Sequence, residues 1–258
     1  MKKQLLLSKR ICLEGCEFAE RGDSVSSGLA ISLFQDAVEM FVWALIKERN
    51  LSIKENAQFT TNMDSLSKAG IKLSFIPQMF ELNKSRVGFK HYGNLPAVAE
   101  AAKFRAYVEE FLRVSFEQCF GLSLEDLSLV DLVVFDDVRG HLKRSEKFVV
   151  EAQYIDAIAE AAKAKVILFS KLNRFIPRVG QHLILEDEFE LLREAVLAAL
   201  VRIPLQDFAF IMSALPKGSI SYSGNVSIGL GTSSYDAAHC KRAIECLVAL
   251  SIRMESLV

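Results

Sequence analysis

The sequence predicts a mainly α protein in two regions, and three observations carry that expectation. Apolar residues recur at helical spacing along most of the chain. Gly and Pro fall where such runs stop. Alternation of the β type is confined to one short stretch near the C-terminus. With 258 residues, 51% of them apolar, the chain can bury a core as one large or two modest domains.

The start, MKKQLLLSKRICLEGC, carries Lys2 and Lys3 before a short leucine run, less than the roughly 7–15 apolar residues of a secretory signal. No run approaches the ~20 apolar residues of a membrane span, so a cytoplasmic location without a membrane partner is expected. Residues 28–50, GLAISLFQDAVEMFVWALIKERN, are apolar nearly all round except at Ser32, Gln35, Asp36 and Glu39, a narrow polar stripe on a buried helix. Pro77 suits a first helical position, and the helix it opens continues until Gly93 and Pro96 stop it. Residues 97–121 form a third helix closed by Gly121, and Ser123 with Asp126 reads as a capping box opening the next element. These elements make one helical bundle over 1–122.

The second region, 123–258, starts with the acid-rich LSLEDLSLVDLVVFDD. Helices are expected at 137–152, 153–172, 186–202 and 205–215, with short connections that make helical hairpins. Asp136 and Asp137 read as a helix cap and EDEFE at 186–190 as an acidic first turn. Ser-Gly-Asn separates two alternating runs in KGSISYSGNVSIGLGTSS, a β-hairpin near 217–232, and a last helix follows at 235–256.

Composition narrows the function classes. With 31 basic and 32 acidic residues, any nucleic acid must be held by a local patch. The five cysteines lack paired CxxC spacing, and His141, His182 and His239 are scattered, so buried thiols in a reducing compartment are expected, with no metal and no cofactor. GLGTSS at 229–234 follows no nucleotide-binding βα pattern.

The stretch that asks for chemistry is NKSRVGFKHYGNLP, 83–96. On a regular helix Arg86 projects from the middle of an apolar arc formed by Met79, Phe80, Leu82, Val87 and Phe89. A lone guanidinium there is costly unless paired, and Asp36 and Glu39 on the buried helix are its candidate partners. His91 lies about 140° further round. Two arrangements bring Arg86 and His91 together: an unwound last turn, or pairing of the helix with its copy, for which the helix-interior Gly88 leaves room.

An Arg followed by His at the end of a long helix, in a bundle whose first long helix carries an acid, resembles the HEPN superfamily of ribonucleases and their inactive relatives. The likeness rests on Arg86-Val-Gly-Phe-Lys-His91, LFQDAVEMFVWAL before it and YGNLP after it, and covers roughly residues 24–121. It implies an up-down HEPN-like bundle and a metal-independent endoribonuclease acting on single-stranded RNA as a homodimer, in a prokaryotic defence or toxin setting. His91 would then exchange protons with the 2′-OH and the 5′-oxygen, leaving a 2′,3′-cyclic phosphate. Arg86 would clamp the phosphate, with Asp36 or Glu39 orienting it and Lys84 and Lys90 adding positive charge. Active members usually place a polar residue after the Arg, where this chain has Val87. The alternative implied is a non-catalytic dimerisation or adaptor protein that holds a protein partner through 123–258. A helical regulatory protein binding a small molecule is a third possibility.

Overall fold

A computed structural model of the protein describes residues 2–53, 57–172, 196, 199–221, 223–230 and 234–255. The chain divides into two compact units, Met1–Ser128 and Leu129–Val258, whereas the sequence suggested a break after residue 122. Among the described residues it has nine α-helices and one two-stranded antiparallel hairpin.

The first unit comprises α1 (Lys2–Ala19), α2 (Ser24–Glu48), α3 (Phe59–Lys68), α4 (Ile76–Tyr92) and α5 (Val98–Phe120). Every other helix in the unit packs on α2. Its start is fixed by Asp23, whose carboxylate accepts from the Ser26 N–H at 2.8 Å. Ile31, Phe34, Val38, Phe41, Val42 and Leu45 are fully buried. Phe41 also meets the rings of Phe111, Phe116 and Phe120 at centroid distances of 5.6, 5.2 and 5.7 Å. By length and hydropathy α2 is apolar enough to cross a membrane, with a mean hydropathy of 1.6 over its best window, a property that counting unbroken apolar residues overlooks. Of that window 67% is buried inside the protein, against α1, α4 and α5.

Two glycines let neighbours approach α2 closely. A Cβ on Gly15 of α1 would lie 2.7 Å from the Phe34 ring, and one on Gly28 of α2 would lie 2.3 Å from that of Phe89. Pro77 occupies the second position of α4, after Phe75 in a left-handed conformation. The helix ends regularly: Gly93, at φ +68°, donates to Phe89 O at 3.2 Å, and the Asn94 N–H returns to Gly88 O at 3.1 Å, a glycine cap that closes the last turn.

The expected capping box at Ser123 and Asp126 is corrected. Ser123 Oγ accepts from the Glu125 N–H at 3.2 Å and donates to the Glu125 carboxylate, so its hydroxyl serves a turn two residues on and opens no helix.

The second unit begins with a 3-10 turn at Leu129–Leu132, then α6 (Asp136–Val150), α7 (Tyr154–Leu172), α8 (Leu205–Ala214), β1 (Gly218–Ile220), β2 (Val226–Ile228) and α9 (Ala237–Glu255). Helices α6 and α7 form a hairpin whose tight connection places Ala152 at φ +56°. Leu142, Ile158, Leu168, Ile211, Leu247, Leu250 and Met254 centre the core. Asp136 and Asp137 sit inside the first turn of α6 and are not its cap: Asp136 pairs with Arg139, and Asp137 with Lys171 at 3.0 Å. Lys165 is buried and donates to Leu215 O at 2.9 Å, serving a carbonyl at the end of α8. In the hairpin Gly218 pairs with Ile228 and Ile220 with Val226. It packs on α7 so closely that a Cβ at Gly218 would lie 2.9 Å from Val166. Most of the expected helix at 186–202, the EDEFE run, His182 and part of GLGTSS fall outside the described residues.

Candidate functional site

Arg86 leaves the inner side of α4 and meets α2, where its Nη2 stands 3.5 Å from Asp36 Oδ1. The two side chains are 22% and 40% exposed, so the pair lies at the margin of the core and in reach of water. The contact is too long for a strong hydrogen bond. Moreover, Arg86 Nε is buried with no hydrogen-bond partner. Much of the guanidinium fork is therefore not engaged by Asp36. Glu39 does not share this contact. Its carboxylate accepts from the buried Gln35 amide at 3.1 Å and so holds α2's own polar stripe.

The remaining motif residues stand apart from this pair. Because α4 stays helical to Tyr92 and its cap is closed, the last turn does not unwind, and His91 is exposed on the outer side of the helix. Of the two arrangements the sequence left open, the first is excluded. Gly88 is not a close-approach point within the chain: a Cβ there would meet only the Asn94 side chain, at 3.6 Å. The apolar arc is largely covered in the chain itself. Met79 and Leu82 are fully buried, and Phe89 lies on Gly28. The exposed apolar side chains near the motif are Tyr92 at 75%, Leu95 at 60% and Val98 at 41%.

The basic residues that follow the motif on α5 are held in ion pairs. Lys103 is paired with Glu81 at 2.5 Å, and Arg105 with Glu20 at 2.9 Å and Glu109 at 3.1 Å. Lys84 and Lys90 remain exposed on α4, with no carboxylate partner among the described residues.

A second polar constellation lies in the other unit, and sequence reading missed it. Glu160 on α7 is buried, yet three donors converge on it: His141 Nδ1 at 2.8 Å, Arg144 Nε at 2.6 Å and Lys163 Nζ at 2.5 Å. Burial pushes its acidity down, but the bonds from Lys163, His141 and Arg144 outweigh this and hold the carboxyl at a pKa of about 2. The network stands behind a cleft of about 470 Å³ between α6, α7 and the hairpin, into which His141, Lys163, Lys171 and Asn225 face. The signal available in the sequence was a pair of i, i+3 spacings, His141 to Arg144 and Glu160 to Lys163, on helices expected to form a hairpin.

The cysteines are free thiols, and Cys12, Cys16, Cys240 and Cys246 are buried. Cys246 is pushed up to about 12, chiefly by burial. Cys12 is raised as well, by its bond with Cys16 and by burial. Neither thiol is poised to be a nucleophile. In comparisons with known proteins, no family model, no curated protein and no solved structure matches the chain.

Proposed function

We propose that the protein is a metal-independent endoribonuclease of HEPN type that acts as a homodimer on single-stranded RNA, in a defence or toxin setting. The observation that carries the reading is Arg86: a guanidinium at the edge of an apolar core, held by one long contact to Asp36, with a buried donor left over. A structural ion pair would be expected to use more of the fork. Lys84, Lys90 and His91, exposed along the same helix, supply positive charge and a proton carrier near neutral pH.

One chain does not bring Arg86 and His91 to the same phosphate, so the reading requires a second copy. Gly88 leaves open the face of α4 where another backbone would approach, and Tyr92, Leu95 and Val98 supply apolar surface for a twofold contact to bury. In the composite cleft Arg86 stabilises the phosphorane, and His91 serves as base toward the 2′-OH and as acid toward the 5′-oxygen, singly or with its twin. Asp36 positions Arg86. Glu39 acts one step removed, through Gln35.

The non-catalytic adaptor reading is favoured by a specific observation, the divergence of His91 from Arg86 with Val87 between them. Incubation with mixed RNA in EDTA separates the two. Cleavage to 2′,3′-cyclic phosphate and 5′-hydroxyl ends is expected, lost in Arg86→Ala and in His91→Ala with circular dichroism unchanged. A mass measurement should give a dimer that Gly88→Leu shifts to monomer. Dimerisation without cleavage would leave the adaptor; cleavage that persists in His91→Ala would remove the assigned chemistry.

A further inference from the structure

The cleft of the second unit is built from complementary halves. Its floor is the α6–α7 hairpin and its rim is the β-hairpin, which contributes Asn225 and Val226. At one end stand His141 and Lys163, with Glu160 and Arg144 behind them. At the other end Lys171 pairs with Asp137 at 3.0 Å. Between the ends Ile167 of α7 and Ile220 of β1 give an apolar wall.

Charge bookkeeping at the first end is uneven: two permanent cations and an imidazole share a single carboxylate. Lys163 spends one of its three donors on Glu160. Glu160 and Arg144 Nη2, the latter at 2.7 Å, both meet His141 at Nδ1 and fix the ring, and with Nδ1 donating to Glu160 the remaining nitrogen, Nε2, donates when the imidazole is protonated. A buried carboxylate surrounded this way orients donors that it does not exhaust, and the excess is positive. The second end is neutral overall, with Asn225 on the rim able to donate and accept. The volume, about 470 Å³, falls within the roughly 300–1,000 Å³ usual for small-ligand clefts.

We propose that this cleft binds a phosphorylated small molecule of nucleotide size, its phosphate at Lys163 and His141 and its less polar body against Ile167 and Ile220. A dianionic group matches the excess charge and the donor geometry, since phosphate oxygens accept from ammonium and from the Nε2 N–H of a protonated imidazole alike. A planar or aliphatic body matches the apolar wall. A cationic ligand matches neither end. The inference goes beyond the ribonuclease reading and does not depend on it.

The experiment is isothermal titration of the full chain with adenosine 5′-monophosphate, adenosine and inorganic phosphate as probes. The monophosphate is expected to bind at one site per chain, phosphate to bind more weakly and compete with it, and adenosine to bind least. Lys163→Met should weaken the monophosphate by at least about tenfold, the loss of one charge-assisted contact. His141→Gln, whose amide can still donate to Glu160, should also weaken it, which covers the case in which Lys163→Met unfolds. Arg86→Ala should leave binding unchanged. The proposal is overturned by no binding of the monophosphate at millimolar concentration, by adenosine binding as tightly, by affinity indifferent to both cleft variants, or by loss of binding in Arg86→Ala, which would assign the nucleotide to the ribonuclease motif.

Discussion

At the scale of the residue, Glu160 makes the most definite statement about conditions. Its carboxyl is held at about 2 in the folded protein against an ordinary 4.5. Its folded value is the lower one, so the stabilisation is fully present above about pH 4.5 and is lost as the pH falls toward 2. Burial with three partners makes the contribution worth up to about 3 kcal/mol. Glu160→Gln should therefore flatten the acid limb of a stability profile taken by urea titration between pH 5 and 3, and should lower stability at pH 7. An unchanged acid limb would show that the network carries no net stabilisation. The opposite lesson comes from Arg86 and Asp36. Sequence pattern alone pointed to that pair, because a cation inside an apolar arc needs an acid and the facing helix offered two. Pattern could not choose between Asp36 and Glu39, which differ only in which side of the polar stripe meets α4. Nor could it show Glu160, two of whose three partners, His141 and Arg144, sit on another helix at separations that no local period records.

At the scale of the element, two glycines of similar appearance play opposite parts. Gly28 is where Phe89 enters α2, and an added methyl there would lie 2.3 Å from the ring. Gly28→Ala should cost about 1–3 kcal/mol by overpacking and loosen the Arg86–Asp36 contact by pushing α4 away. Gly88→Ala meets only ordinary contact and should stabilise the isolated fold by about 0.5–1 kcal/mol through helix propensity. Guanidinium unfolding of both variants, read as a difference, checks the assignment: a reversed order would mean that α4 packs elsewhere. Helices with strong periodicity and a clear stop, such as α4, α5 and α7, were legible in the sequence. The short α3 was not, although Phe59, Asn62, Met63 and Leu66 follow helical spacing, because a buried Asn stands among them. The long α1 was obscured in the same way by buried Ser8 and Arg10. A polar residue in the core looks, from sequence, like a break in the pattern.

At the scale of the whole molecule, the expectation of a mainly α chain with one small hairpin describes what is found, and the division into two units shows that neither core is an appendage of the other. What sequence could not supply is which helices share a core across long gaps, since that is decided by side-chain fit such as Phe89 on Gly28. The placement of Arg86 opposite Asp36 has a temporal side. The two positions, 36 and 86, are fifty residues apart, whereas α1 and α2 are joined by a short link and share the most extensive interface in their unit. Local pairings form before distant ones because less loop entropy must be lost first. Pulse-labelled hydrogen exchange during refolding should thus protect α1 and α2 amides ahead of those in α4, and simultaneous protection would contradict that order. On the ribosome the same ordering implies a latency: a nascent chain holds its α1–α2 scaffold while the motif is still being translated, so whatever chemistry Arg86 performs is withheld until α4 has emerged and docked.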